Sequence, residues 1–255
     1  MKNKIIVAVT AVILCSTLAY HLVQKKSLTT PISENTLLVG TSDDYPPYTF
    51  NKDGEIVGFD IDLAREVAKR MGMTMNLTNM SFDILLLELQ KGRLQCIAAG
   101  LTPTQERAAK VFFTTPYLQG DPLLAVTRKD SPPITQVADL IPLKVIVIEG
   151  YTADFYLSQQ KNINLERVET VAQAILSLER HKSDVFILSQ SALQPFLKTK
   201  FQENFKTDTL PDITESYALA ISKKYPELLA KIELVLIELK EDGTLEHLKQ
   251  KWELS

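Results

Sequence analysis

The residues best placed to do chemistry lie between Cys96 and Arg107, in the run Cys-Ile-Ala-Ala-Gly-Leu-Thr-Pro-Thr-Gln-Glu-Arg. The short apolar run Leu94 to Ala99 ends at Gly100, which suits a buried strand that stops where the backbone is left bare. Thr102 fits the N-cap of a helix starting at once, with Pro103 at its first position and Gln105 completing the Thr-x-x-Gln capping-box spacing. Arg107 falls about a turn further on, from where its guanidinium can reach back to the free amides of that helix start. Bare glycine backbone, a hydroxyl, a positive helix end and an arginine together make a receptor for a small carboxylate or phosphate, a carboxylate taking two parallel bonds from Arg107. Taken alone, the stretch fits an ordinary strand-to-helix connection with a surface arginine even better, and the rest of the chain must decide.

The elements that would hold this stretch alternate between strand and helix. Leu37 to Thr41 reads as a strand running into Ser42-Asp43-Asp44-Tyr45-Pro46-Pro47-Tyr48, where two prolines hold aromatic rings on a stiff loop or merely make a turn. Asp60 fits the N-cap of an amphipathic helix with Ile61, Ala64, Ala68 and Met71 at helical spacing and Gly72 at its end. A strand over Met73 to Leu77 and a helix over Phe82 to Leu89 follow. After Leu123 to Thr127, a further strand, the chain pauses at Asp130-Ser131-Pro132-Pro133 and the series restarts. It runs strand Lys144 to Ile148, a helix to about Gln159, strand Leu165 to Val168, helix Val171 to Arg180, strand Asp184 to Leu188 and helix Ser189 to Leu197. Tyr217 to Ile221 is one more strand, and Tyr225 to Leu239 and Thr244 to Trp252 are closing helices. The pattern predicts an α/β protein with mostly parallel sheets covered on both faces, in two lobes.

Composition limits the function classes. At 255 residues, 45% hydrophobic and 23% charged, the chain can bury a substantial core. The net charge of −3 and the lack of any basic run longer than a pair argue against nucleic acid or an anionic membrane surface as partner. Residues 1–26 read as a targeting segment: Lys2 and Lys4 precede an apolar run from Ile5 to Leu14, and Ser16 to Ala19 offer small residues for cleavage. Three fates compete: cleavage near Ala19, lipidation of Cys15, or retention of residues 5–23 as a membrane anchor. The four lysines Lys2, Lys4, Lys25 and Lys26 lie in this segment, so its removal leaves 24 basic against 31 acidic residues, net −7. Residues 27–35 read as a tether, and with only Cys15 and Cys96 no internal disulfide framework is expected. The histidines His21, His181 and His247 form no metal-ligand pattern, and neither a nucleophile elbow nor a phosphate loop is present.

Gly58-Phe59-Asp60-Ile61-Asp62-Leu63, the Tyr45-Pro46-Pro47-Tyr48 loop, Phe82-Asp83, Leu101 to Arg107, Phe113-Thr114-Thr115-Pro116-Tyr117 and Asp242-Gly243-Thr244 with Trp252 follow one another as they do in a known family. Over residues 36–254 the chain resembles the polar amino-acid solute-binding proteins of ABC transporters, family 3, most nearly their arginine-binding branch. The resemblance implies a type II periplasmic-binding-protein fold, with lobe 1 formed by 36–119 and 218–255 and lobe 2 by 123–214. Two crossover strands, near Gln119 to Pro122 and Thr214 to Tyr217, would be the hinge. It further implies that Arg107 clamps the ligand α-carboxylate, helped by Thr102 and the backbone at Gly100. Tyr45 and Phe82 would sandwich the ligand side chain, and Thr152 would reach the carboxylate from lobe 2.

Two positions depart from the family pattern. Ser189 stands where the family usually carries the acid that binds the ligand α-ammonium, and Ser42 stands where members binding basic side chains tend to carry another. Asp43 and Asp44 adjoin Ser42, and Glu149 is the expected replacement for the acid missing at Ser189. The resulting expectation is a monomeric periplasmic protein without catalysis, cofactor or metal, possessing a tether or a lipidated Cys15. It would capture a polar amino acid, arginine first and glutamine second, for an ABC permease in the inner membrane. A dehydratase-like enzyme for small acids on the same fold, and a ligand-sensing surface module, stay open as alternatives.

Overall fold

The computed structural model describes residues 35–197 and 201–254. The targeting segment with Cys15, and the tether up to residue 34, lie outside the described residues. Two five-stranded open sheets carry the fold, each flanked by helices, as a two-lobed α/β arrangement. The first sheet has the order β5-β1-β6-β13-β7, comprising β1 (Thr36–Thr41), β5 (Thr74–Asn79), β6 (Cys96–Ile97), β7 (Phe112–Phe113) and β13 (Ala220–Ile221). The second has the order β10-β9-β11-β8-β12, comprising β8 (Leu118–Arg128), β9 (Lys144–Ile148), β10 (Asn164–Val168), β11 (Val185–Ser189) and β12 (Phe205–Tyr217). A small antiparallel sheet of β2 (Asp44–Tyr45), β3 (Thr49–Lys52) and β4 (Glu55–Val57) holds the double-proline loop.

The sheets are mixed rather than mostly parallel. β1 and β6 pair in parallel, as do β9 with β10 and with β11, but β13 runs antiparallel to both β6 and β7, and β8 antiparallel to β11 and β12. The cause is the chain path: β8 leaves the first lobe for the second, β12 returns beside it, and the returning chain points the opposite way. β9, whose last four residues are buried, is an interior strand covered on both faces, as its Val-Ile-Val-Ile run requires.

Helix α1 (Phe59–Arg70) buries Ile61, Ala64, Val67 and Ala68 along the predicted stripe. Its N-cap is Gly58 and not Asp60. Gly58 sits at φ 138, and a Cβ there would come within 2.1 Å of the Tyr48 carbonyl oxygen, so only glycine lets the helix start beneath the tyrosine loop. Asp60 is thereby turned into the interior, where it is fully buried. Helices α2 (Phe82–Lys91) and α3 (Gln105–Lys110) complete the first part of lobe 1. The N-cap of α3 is Thr104, whose hydroxyl accepts from the Arg107 amide at 3.2 Å, and not Thr102. The short apolar run before it pairs only over Cys96–Ile97, because Gly100 at φ 58 turns the chain away. Cys96 is a free, buried thiol that packs in the core.

The second lobe adds α4 (Thr152–Ser158), α5 (Val171–Glu179), α6 (Gln190–Leu197) and α7 (Phe201–Asn204), and α8 (Pro226–Glu241) and α9 (Thr244–Lys251) close the chain against the first. Separate apolar clusters back the outer faces of the two sheets. A third runs between the lobes through Tyr45, Tyr48, Tyr151 and Tyr217.

Candidate ligand-binding cleft

Arg107 sits near the start of α3 with its side chain turned inward, only 4% exposed. One guanidinium nitrogen donates to the Thr102 carbonyl at 2.8 Å and another to the Gly150 carbonyl of lobe 2 at 2.6 Å. The guanidinium carbon lies 5.6 Å from the Phe82 ring centre and 5.2 Å from that of Phe155, so an aromatic face from each lobe flanks the cation. Burial pulls its pKa down to about 10, with Glu215 opposing, which leaves it charged at neutral pH.

Gly100 ends the strand beneath this arginine. Its amide donates to Asp60 at 2.7 Å, and the other oxygen of Asp60 accepts from the Tyr117 hydroxyl at 2.6 Å. A Cβ on Gly100 would come within 2.7 Å of the Tyr45 ring, so the ring lies directly on bare backbone. Burial pushes the Asp60 carboxyl up to about 6.

At the base of the cleft the two crossover strands each contribute an acid. Asp121 of β8 and Glu215 of β12 are register partners, both buried. The Tyr217 hydroxyl donates to Asp121 at 2.8 Å and makes a short hydrogen bond to Glu215. The Tyr45 hydroxyl donates to Glu215 at 3.3 Å and lies 2.9 Å from Ser189 Oγ. Ser191, bonded to Asp121 through its amide and its hydroxyl, meets the Tyr48 hydroxyl at 2.6 Å. Burial raises the Glu215 carboxyl, against the Tyr217 hydrogen bond. The Tyr217 hydroxyl thus bridges two buried acids on neighbouring strands, close to the buried Arg107.

The structure brings Tyr45, Phe82, Gly100, Arg107 and Thr152 together around one residual cavity, and adds Tyr151 and Glu215 to its lining. That cavity measures about 10 Å³, room for roughly one water molecule. Tyr151 of lobe 2 fills much of the space, its ring 5.0 Å from that of Tyr45 and 4.8 Å from that of Phe82. Ser189 joins through Tyr45, but its hydroxyl carries no charge. Glu149 is not in the lining of this cavity: it is exposed, and it lines both a chamber at the cleft mouth, with Ser42, Asp43 and Asp44, and a pocket that it shares with Phe82, Arg107 and Gly150. Glu215, which the sequence reading did not single out, lines the inner cavity.

Five buried side-chain polar atoms among the described residues lack a hydrogen-bond partner, and four of them belong to this region: Ser42 Oγ, Asp44 Oδ1, Thr102 Oγ1 and Tyr151 OH. Native interiors leave few such groups unpaired. Thr102 is free for this because Thr104 does the capping.

Comparison with known proteins identifies the family. A profile of the bacterial extracellular solute-binding proteins, family 3, matches residues 37–255. The probable ABC transporter arginine-binding protein ArtJ of Chlamydia trachomatis is 30% identical over 225 residues, 86% of each chain. Among solved structures, a mutant of ArgBP from T. maritima superposes with a TM-score of 0.79 at 34% identity, covering 87% of this chain and 96% of that one. An ancestral arginine-binding protein bound to glutamine gives 0.78 at 30% identity, covering 86% and 98%. The fold, the buried arginine at the cleft and these likenesses place the chain among the bacterial extracellular solute-binding proteins of family 3, as a binding protein and not an enzyme.

Proposed function

We propose that the protein captures a free amino acid, arginine first and glutamine or another polar amino acid second, and delivers it to an ABC permease in the inner membrane. One observation carries the reading: a buried cation, Arg107, and a buried acid, Glu215, line the same cavity between the lobes. That is the charge pattern of an amino-acid head group, whose carboxylate Arg107 takes and whose ammonium Glu215 takes. Thr102 Oγ1 supplies a further hydrogen bond, and Tyr45 and Phe82 form the walls for the side chain. Thr152, at the start of α4, reaches the carboxylate from the opposite lobe.

The lobes, 36–119 with 218–255 and 123–214, part about the crossover strands to admit the ligand. On entry the carboxylate takes the place of the Gly150 carbonyl on Arg107, and the Tyr151 ring leaves the gap between Tyr45 and Phe82. The lobes then close with the carboxylate as the latch. The protein works as a periplasmic monomer, delivered by residues 1–26 and held or released according to the fate of that segment.

The test is calorimetry with arginine, glutamine and histidine on the wild type and on Arg107→Ala. A charge-assisted hydrogen bond is worth about 1.5 to 3 kcal/mol, so the variant loses roughly ten- to a hundredfold in affinity while remaining folded. A folded Arg107→Ala protein with full affinity refutes the assignment.

A further inference from the structure

We infer that Gly150 and Tyr151 are a built-in competitor of the ligand: the chain plugs its own clamp, and any amino acid that enters must first expel the plug. The inference rests on the proposed function for the identity of the site and adds a control on how tightly that site binds. Two neighbouring residues of the second lobe occupy the two halves of the clamp. The Gly150 carbonyl accepts from an Arg107 guanidinium nitrogen at 2.6 Å, the place proposed for the ligand carboxylate. The Tyr151 ring stands between Tyr45 and Phe82, inclined to them at 75° and 62° with centroids 5.0 and 4.8 Å away, the place proposed for the ligand side chain. The residue is 6% exposed, and with its ring there the cavity beside Arg107 measures about 10 Å³, which excludes even the smallest amino acid.

The plug is fixed at its backbone and untied at its tip. Gly150, at φ 77, turns the chain from β9 into α4, and its amide donates to Asp154 at 3.1 Å. Asp154 is held in turn by Ser158 at 3.0 Å and Arg167 at 2.9 Å, so the turn moves with its lobe and the carbonyl leaves Arg107 only when the lobes part. The Tyr151 hydroxyl is buried and makes no hydrogen bond. Its neighbours in the cleft differ in this respect. Tyr45 is anchored to Ser189 at 2.9 Å, Tyr48 to Ser191 at 2.6 Å and Tyr217 to Asp121 at 2.8 Å. A ring serving as a permanent wall has every reason to be anchored likewise, because a buried hydroxyl left unpaired is destabilising. Tyr151 is held by packing against the rings of lobe 1, which an incoming side chain can take over.

The cost of expulsion is the same for every ligand. Because the ring must leave whatever side chain arrives, all affinities fall by one common factor, the inverse of the fraction of molecules whose gap is clear. Two buried aromatic pairs make that factor at least roughly fivefold. Tyr151 therefore sets the level of affinity and leaves the choice among amino acids to the rest of the site.

Calorimetry of the full chain with arginine, glutamine and histidine, on the wild type, Tyr151→Ser and Tyr151→Phe, tests the inference. Serine removes the ring and is a favoured residue at the N-cap of α4, the position Tyr151 holds, so the helix keeps its start. Tyr151→Thr repeats the test should the serine variant fail to fold. Each amino acid that the wild type binds should bind the small-residue variant at least roughly fivefold more tightly, by one factor for all, while Tyr151→Phe, which keeps the ring, should match the wild type. Unchanged or weakened binding in Tyr151→Ser overturns the inference and makes the ring a wall of the site, leaving the proposed function standing. Tightening confined to one amino acid, or equal tightening in Tyr151→Phe, also overturns it. Binding of none of the three amino acids by any of these proteins overturns the proposed function, and the inference with it.

Discussion

Replacing Asp60 by asparagine should make this protein more stable at neutral pH, although Asp60 is a fully buried residue with two good hydrogen bonds. The carboxylate accepts from the Gly100 amide at 2.7 Å and from the Tyr117 hydroxyl at 2.6 Å, with no cation at hand. Burial outweighs both bonds and lifts the carboxyl from its ordinary 3.8 to about 6. The folded protein therefore holds this proton more tightly than the unfolded chain does. Its contribution to stability is fully present below about pH 3.8 and is lost as pH rises through about 6. At about 1.4 kcal/mol for each pH unit, ionising Asp60 in place costs about 3 kcal/mol.

Asparagine keeps an oxygen for Gly100 and offers its amide to Tyr117, whose hydroxyl can turn to accept. It thus imitates the protonated acid at every pH. The expected gain above pH 7 is up to about 3 kcal/mol, or roughly 6 to 12 °C in Tm for a protein of this size. Urea melts of both proteins from pH 4.5 to pH 8 provide the measurement. Other acids whose pKa burial raises, the buried Glu215 and the half-buried Asp44 among them, also destabilise the fold as they ionise, so the informative quantity is the difference between the two curves. That difference should widen with pH between about 3.8 and about 6 and then stay constant. A difference independent of pH would show that the two hydrogen bonds to the ion balance its desolvation, and an asparagine variant less stable at pH 8 that they outweigh it. Gly100 stays pinned in the variant, so ligand affinity should change little.

Two further outcomes follow from the cleft. Glu215→Gln should weaken amino-acid binding at least tenfold by calorimetry, because glutamine fills the same space but cannot neutralise an ammonium; affinity within twofold of wild type would remove Glu215 from the site. Gly100→Ala and Gly72→Ala make a matched pair, at φ 58 and φ 69. Each pays about 1 to 2 kcal/mol of left-handed backbone strain, but only the new methyl at Gly100 meets the Tyr45 ring, nothing lying within 4 Å of the one at Gly72. Thermal melts should therefore show the larger loss at Gly100, and amino-acid titrations should show reduced affinity there alone; equal effects would mean that the Tyr45 contact is slack.

Much of the fold was legible because its signals are local. The α1 stripe, the Lys144–Ile148 strand and the α5 helix come within a residue or two of their observed bounds, each being a periodic run between clear stops. Arg107 and Gly100 could be singled out for the same reason, since a glycine, a hydroxyl and an arginine within eight residues leave a mark in one short window. What failed locally was capping: Asp60 and Thr102 both look like N-caps, and in both cases a neighbour caps instead and frees the side chain for the interior. The strand β12 was missed altogether outside its last residues, because Thr-Asp-Thr-Leu-Pro-Asp-Ile-Thr-Glu has no clean alternation and a proline within it.

The acid at Glu215 illustrates the deeper limit. Nothing around it in sequence distinguishes it from a surface glutamate at a strand end, and its burial comes from the pairing of Glu215 with Asp121 on a strand far away in the chain. Ser189 and Glu215 are brought together through space, the Tyr45 hydroxyl touching both residues. That placement has a mechanical consequence. With the negative charge on a lobe, an incoming ammonium would only add to the grip of that lobe. Placed on the crossover strands, opposite a second acid to which the Tyr217 hydroxyl bridges it, Glu215 would bring the ligand ammonium of the proposed binding mode to the two segments that join the lobes. In that mode ligand charge would act on the hinge itself as well as on the jaws, so the loss of Glu215 should alter lobe closure together with affinity, while the loss of a residue lining only the jaws should alter affinity alone.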